Sequence, residues 1–179
     1  MGRNRAHHTL LEHTTPQEAH ALASYDVFHV VLYQPEIPPN TGNLMRLTVN
    51  TGCLLHLVHP LGFELDDARM RRAGLDYREH ATVQHHDSIA GAVESIGPAR
   101  WFAFSQHGTT LYTEVAFGRG DVMLFGPESA GLPREVMAAD FISDVCRIPI
   151  AEGGRSLNLA NAAAIAIYEG WRQHGFSMS

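Results

Sequence analysis

Two unbroken apolar runs, "VFHVVLY" (27–33) and "CLLHLVHP" (53–60), constrain the fold most. A half-buried strand would alternate polar with apolar residues. A run that stays apolar belongs to a strand covered on both faces, a condition met in parallel sheets. Parallel neighbours need a crossover, and the segment between the runs can supply one. "QPEIPPNTGN" is a loop stiffened by three prolines. Asn40 or Thr41 is the expected cap of a helix over "GNLMRLTVNT", and Gly52 its expected end. Residues 27–60 therefore read as a β-α-β unit.

The same alternation continues. "DDARMRRAG" (66–74) reads as a short helix, "ATVQHH" (81–86) as a weak strand and "DSIAGAVESI" (87–96) as a helix. "RWFAFS" (100–105) and "DVMLFG" (121–126) read as strands. The turn "PESAGLP" and a short helix over "REVMAAD" follow. "VCRIPI" (145–150) is the last expected strand, and a final helix starts near Asn158. The pattern predicts an α/β fold, a mainly parallel sheet with helices on both faces. Ligands in such sheets bind beyond the carboxyl ends of the strands. Three polar or glycine-rich turns lie there, starting at Ser105, Gly126 and Pro149.

The chain has 179 residues, of which 45% are hydrophobic, enough for one domain with a substantial core. Residues 1–25 are polar and His-rich and are expected to form a flexible extension, leaving 26–179 as the folded domain. His7, His8, His13 and His20 match no familiar ligand spacing, so no metal is expected. The net charge of −6 argues against coating nucleic acid by bulk charge. A local patch is still available, because Arg69, Arg71 and Arg72 cluster. Cys53 and Cys146 each sit in an apolar run and read as buried thiols. No apolar stretch is long enough to span a membrane and no signal-peptide core begins the chain, so a cytoplasmic location is expected.

The familiar phosphate loops and the nucleophile elbow are missing from the sequence. What remains is three turns with chemistry of their own. Gly126 lets the backbone pass close to a ligand at a strand end. Glu128, taken alone, reads as a solvated loop charge. Ser156 is placed to cap the last helix, whose first backbone N–H groups form a partial positive pole. That helix is apolar all round from Leu159 to Ile167, and is expected to be buried on most sides. Arg46 lies on the first helix, either as a surface charge or as a bidentate phosphate ligand.

Taken together, "PEIPPNTGNLMRL", "VMLFGPESAGLP" and "CRIPIAEGGRSLNLANAAAIAIYE" resemble, in this order, the three motifs of the SPOUT class of RNA methyltransferases. "HPLGFELDDARMRRAGLDY" narrows the resemblance to the small single-domain enzymes that methylate the ribose 2′-oxygen at the tRNA wobble position. The resemblance covers about residues 27–175. It implies a C-terminal trefoil knot, the SPOUT or alpha-beta knot fold, and a homodimer without membrane attachment. It implies S-adenosylmethionine as cofactor, S-adenosylhomocysteine as product, and the tRNA anticodon stem-loop as partner.

Residue by residue, the resemblance implies that Phe104, Gly126, Ile148 and Ser156 contact the cofactor. It places Arg46 and Ser156 at the reacting centre, and Asn40 and Tyr168 in RNA binding. Arg71 and Arg72 are the candidate basic patch, with Arg69, Arg78 and His59 beside them. An ordinary Arg is a poor base, so Arg46 is expected to orient the hydroxyl and stabilise the developing alkoxide. Two other readings stay open. One is the same fold acting on a ribosomal RNA ribose, and the other a non-catalytic module that binds S-adenosylmethionine or RNA.

Overall fold

The computed structural model describes residues 27–63 and 83–177. Within them lie β1 (His29–Tyr33), α1 (Pro38–Thr51), β2 (Leu54–Val58), β3 (Val83–His86), α2 (Ile89–Ile96) and β4 (Trp101–Phe104). β5 (Thr110–Leu111), β6 (Val122–Phe125), α3 (Arg134–Met137), β7 (Ile142–Arg147) and α4 (Leu159–Gln173) follow. The seven strands form one sheet in the order β3-β2-β1-β6-β4-β7-β5. Every pairing is parallel.

The burial explains the apolar runs. Val30, Val31 and Leu32 of β1 are fully buried, as are Leu55, Leu57 and Val58 of β2. Alternate side chains enter two different cores. Val30, Leu32, Leu55, Leu57, Met123 and Phe125 pack with α1 and α4. Val31, Val58, Trp101, Ala103 and Leu124 pack with Ala92 of α2 and Val136 of α3. Helices therefore cover both faces, as the alternation of elements predicts. Cys53 and Cys146 are free thiols within the first core.

Three boundaries differ from the sequence reading. First, α1 begins at Pro38, with prolines in its opening positions, so Asn40 lies inside the first turn. Proline fits there because it lacks an N–H that the helix would leave unpaired anyway. Gly52 ends α1 as expected, in the left-handed conformation at φ 67°.

Second, β7 starts at Ile142 and ends at Arg147. Its opening "ISD" reads as loop because the polar Ser143 is structural. Its Oγ accepts the Trp101 N–H at 3.2 Å, where the register of β4 on β7 shifts. Third, the two-residue β5 beyond β7 carries no sequence signal of its own. α2 matches its expected span closely, with Ser88 accepting the Gly91 N–H at its start.

α4 is buried on one face only. Leu159, Ala160, Ala163, Ala166, Ile167 and Gly170 point inward, while Asn161 and Tyr168 are exposed. The expectation of burial on most sides therefore fails for a single chain. Its cap is Asn158, not Ser156, with Asn158 Oδ1 accepting the Ala160 N–H at 3.0 Å and the Asn161 N–H at 3.3 Å. The expected extension over residues 1–25 and the helix over 66–74 lie outside the described residues.

Candidate active site

Four strands that are neighbours in the sheet, β1, β6, β4 and β7, send their following loops to one place. There they line a cavity of about 320 Å³. β1, β2 and β3 run outward on one side of the β1/β6 boundary and β4 to β7 all lie on the other, and such a switch point leaves a crevice at the carboxyl ends.

The loop after β1 contributes Ile37 and Asn40 to the cavity wall, and the β4 end contributes Phe104, Ser105 and Gln106. From β6 come Phe125, Gly126, Pro127 and Glu128. The long segment after β7 adds Ile148, Ile150, Ser156, Leu157 and Asn158. Phe104 stacks on Phe125 with centroids 4.8 Å apart and planes 18° apart, giving the floor a flat aromatic base. Gly126 is required sterically, since a Cβ there would collide with the backbone of Gly131 and Leu132 as the loop turns back.

Carboxylates hold the walls. Glu128 accepts the Glu36 N–H at 2.7 Å, the Ile37 N–H at 3.2 Å and Asn40 Nδ2 at 2.8 Å. It thus caps α1 from a loop about 90 residues away in sequence, where Ile37 offers no side-chain cap. The reading of Glu128 as a solvated charge is wrong for this reason. Glu36 reciprocates, accepting the Ser129 N–H and Oγ, each at 2.8 Å. Asn158 Nδ2 then donates to Asn40 Oδ1 at 2.8 Å, joining the start of α4 to the start of α1. Asn40 is 4% exposed and held at both ends of its amide. Ser156 Oγ donates to Gln106 Oε1 at 3.1 Å, tying the segment after β7 to the loop after β4.

Phe104, Gly126, Ile148, Ser156 and Asn40, expected at one site from the sequence, thus line one cavity. Arg46 does not line it. It is exposed on α1, six residues beyond Asn40, or about 9 Å along the helix axis. Tyr168 is 46% exposed on the outer face of α4, edge-to-face with Trp171 at 5.7 Å. Arg71 and Arg72, with Arg69 and Arg78, lie outside the described residues. Glu36, Gln106 and Asn158 are absent from the sequence-based site. Asn158 alone had a signal, a cap residue directly before an apolar helix. Among the described residues no cluster of His, Cys, Asp and Glu could hold a metal. No helix among them is long and apolar enough to cross a membrane.

Comparison with known proteins agrees with this architecture. Residues 27–168 match the SpoU rRNA methylase family. A tRNA (cytidine(34)-2′-O)-methyltransferase of Saccharophagus degradans is 50% identical over 153 residues, covering 86% of this chain and 99% of the relative. The enzyme of the same name from Escherichia coli K12 is 45% identical over 150 residues, covering 84% and 96%. A solved structure described as giving insights into 2-OH methylation of C/U34 on tRNA superposes with a TM-score of 0.78 at 46% identity, covering 86% of this chain and 99% of the other. The methyltransferase AviRb of Streptomyces viridochromogenes, in complex with AdoMet, shares the fold at a TM-score of 0.72 and 22% identity, covering 83% and 58%. The chain belongs to the SpoU rRNA methylase family, and within it to the tRNA (cytidine(34)-2′-O)-methyltransferases.

Proposed function

We propose that the chain transfers a methyl group from S-adenosylmethionine to the ribose 2′-oxygen of the wobble nucleotide, cytidine or uridine 34, of tRNA. The observation that carries this reading is 45 to 51% identity, over nearly their full length, to enzymes of that name. The cavity suits the cofactor on its own terms. Its volume of about 320 Å³ falls in the range of small-molecule sites. Phe104, Phe125, Ile148 and Leu159 offer apolar contact for a nucleoside, while Ser156, Gln106 and Asn158 offer polar contact.

When bound, the cofactor supplies an already activated sulfonium methyl, so the protein's task is placement and charge. Gly126 and Ile148 would meet the cofactor through their backbone, and Ser156 through its hydroxyl near the methyl group. Arg46 would orient the ribose and steady the developing alkoxide, with a phosphate or solvent taking the proton. Tyr168, Asn40 and the Arg71/Arg72 pair would serve the anticodon stem-loop. We read the outer face of α4 as part of a homodimer contact, because it leaves Tyr168 uncovered in one chain. We read the segment that carries Ser156 past Gln106 as the threaded strand of a trefoil knot. The product would be S-adenosylhomocysteine, the reaction would need no metal, and the enzyme would work in the cytoplasm.

The test is transfer of labelled methyl from S-adenosylmethionine to total bacterial tRNA, with product nucleosides mapped by mass spectrometry. A 2′-O-methyl group at position 34 of particular tRNAs is the expected result. Transfer to ribosomal RNA instead would overturn the substrate. No transfer to any RNA, with cofactor still bound, would overturn the enzyme reading.

A further inference from the structure

Ser156 and Gln106 meet across the rim of the cavity, and their bond fixes more than a distance. Residues 149–158, the segment that carries Ser156, are exposed throughout. The backbone of this segment bonds to itself once, Gly154 N–H to Ala151 O at 2.9 Å. Two side chains tie it across to other loops. Asn158 Nδ2 donates to Asn40 Oδ1 at 2.8 Å, and Ser156 Oγ donates to Gln106 Oε1 at 3.1 Å.

Gln106 stands on a stiff base. It lies in the turn between Ser105 and Gly108, where Ser105 O accepts the Gly108 N–H at 3.0 Å and Ser105 Oγ accepts the His107 N–H at 3.2 Å. The Ser105 N–H is bonded to Cys146 O at 2.9 Å, which pins the turn to the end of β7. Gly108 is pressed against the same strand, since a Cβ there would lie 2.6 Å from Val145 O. The Gln106 amide then has a partner at each end. Its Oε1 accepts from Ser156, and its Nε2 lies 3.4 Å from His107 Nε2, a ring nitrogen able to accept. These two partners set which end of the amide faces Ser156.

A serine hydroxyl has one hydrogen and two lone pairs, and it rotates unless a partner fixes it. A carbonyl oxygen only accepts, so Gln106 takes the Ser156 hydrogen. Both lone pairs of Ser156 Oγ are then left for a ligand. The other polar side chains of the wall are already engaged as acceptors. Asn40 Oδ1 accepts from Asn158, Asn158 Oδ1 from the Ala160 and Asn161 N–H groups, and Ser105 Oγ from the His107 N–H. Glu128 accepts from Glu36, Ile37 and Asn40. Ser156 lines the cavity, and its oxygen accepts no hydrogen bond among the described residues.

We propose that Gln106 is a positioning residue for the cofactor: it holds the Ser156 hydroxyl as an acceptor, whose lone pairs receive an N–H or O–H donor of the bound S-adenosylmethionine. The proposal rests on the reading of the cavity as the cofactor site. A hydroxyl left to rotate would turn its own hydrogen toward that donor part of the time, and binding would have to reorient it. Gln106 sets the orientation before the ligand arrives, and such preorganisation raises affinity.

The experiment is calorimetric titration of the full chain with S-adenosylmethionine and with S-adenosylhomocysteine, which carries the same N–H and O–H groups. Gln106→Met keeps the length of the side chain and removes its acceptor. It is expected to bind both compounds about five- to tenfold more weakly, the scale of one hydrogen bond. Gln106→Ala gives the same comparison if the methionine variant does not fold. Gln106→Glu keeps an acceptor toward Ser156 and is expected to recover most of the loss. The double variant Gln106→Met with Ser156→Ala is expected to bind no more weakly than Ser156→Ala, because Gln106 acts through Ser156. A Gln106→Met protein that binds as wild type does overturns the proposal. So does a double variant in which the two losses add, which would make Gln106 a direct ligand contact. A wild-type chain that binds neither compound overturns the cofactor site itself, and the proposal with it.

Discussion

Glu36 and Glu128 clasp each other's loops across the mouth of β1 and β6. Glu128 takes the backbone N–H of Glu36 at 2.7 Å, and Glu36 takes the N–H and hydroxyl of Ser129 at 2.8 Å. Each carboxylate satisfies donors at the base of the other. Glu128 also supplies the missing cap of α1 and grips Asn40. The Glu128→Ala variant should lose about 1–2 kcal/mol of stability, the scale of a lost helix cap with a charged acceptor. It should also bind S-adenosylmethionine more weakly, since Asn40 loses one of its two anchors. Urea unfolding and calorimetric titration with the cofactor read the two effects separately. Unchanged stability would mean that the clasp is incidental.

Ser156 and Asn158 are two residues apart and should respond differently. Asn158 caps α4 and holds Asn40, so Asn158→Ala should cost about 1 kcal/mol. Ser156 caps nothing and has one side-chain bond, to Gln106, on the cavity rim. Ser156→Ala should stay within about 0.5 kcal/mol of wild type in stability. Its loss should appear as weaker cofactor binding or slower methyl transfer. A Ser156→Ala enzyme with unaltered kinetics would remove the residue from the site.

Gln34 occupies the left-handed region at φ 51°, where it turns the chain out of β1. A residue with a Cβ pays about 1 kcal/mol there, and glycine does not. Its N–H bond to Val58 O at 2.9 Å involves only the backbone and survives substitution. Gln34→Gly should therefore match or exceed wild-type stability, by up to about 1 kcal/mol. Thermal denaturation decides this, and a marked loss would mean that the Gln34 side chain makes a contact of its own.

Cys53 and Cys146 should be inert in the folded protein. Burial pushes Cys53 up to about 11, against smaller opposing effects of Thr51 and Phe28. Burial, then Asp144, pushes Cys146 up to about 12. A thiol reagent acts on the thiolate, which neither residue forms at neutral pH. No labelling at pH 8 in buffer, and labelling of both cysteines in urea, is the expected pattern. Fast labelling of the native chain would contradict the burial.

How much of this was legible in the sequence depended on the range of the interaction. β1, β2, β4 and β6 were visible because central parallel strands are apolar on both faces. α2 was read as a helix over 87–96, and in the structure Ser88 and Gly97 cap its two ends locally. β5 was not, since two residues at an edge carry no periodicity. The opening of β7 was hidden because Ser143 spends its polarity on a bulge rather than on solvent. The candidate active site divides in the same way. Gly126 and Ser156 stood out through motifs. Glu128 did not, because a carboxylate that caps a helix 90 residues away looks like any exposed loop charge until the chain is folded.

Arg46 gives the sharpest test of the proposed chemistry, because it lies apart from the residues that line the cavity. A residue outside the cofactor site should leave cofactor affinity alone. A residue that steadies charge in the transition state should change the rate instead. Arg46→Ala should therefore bind S-adenosylmethionine as wild type does and lose roughly 100-fold or more in kcat, the scale seen when one charge-stabilising donor is removed. Arg46→Lys keeps the charge but not the planar fork, so it should recover only part of that loss. tRNA binding, followed by filter retention, separates this role from simple attraction. If Arg46→Ala lost tRNA affinity and rate together, and Arg46→Lys restored both, Arg46 would be a phosphate anchor and not part of the reacting centre.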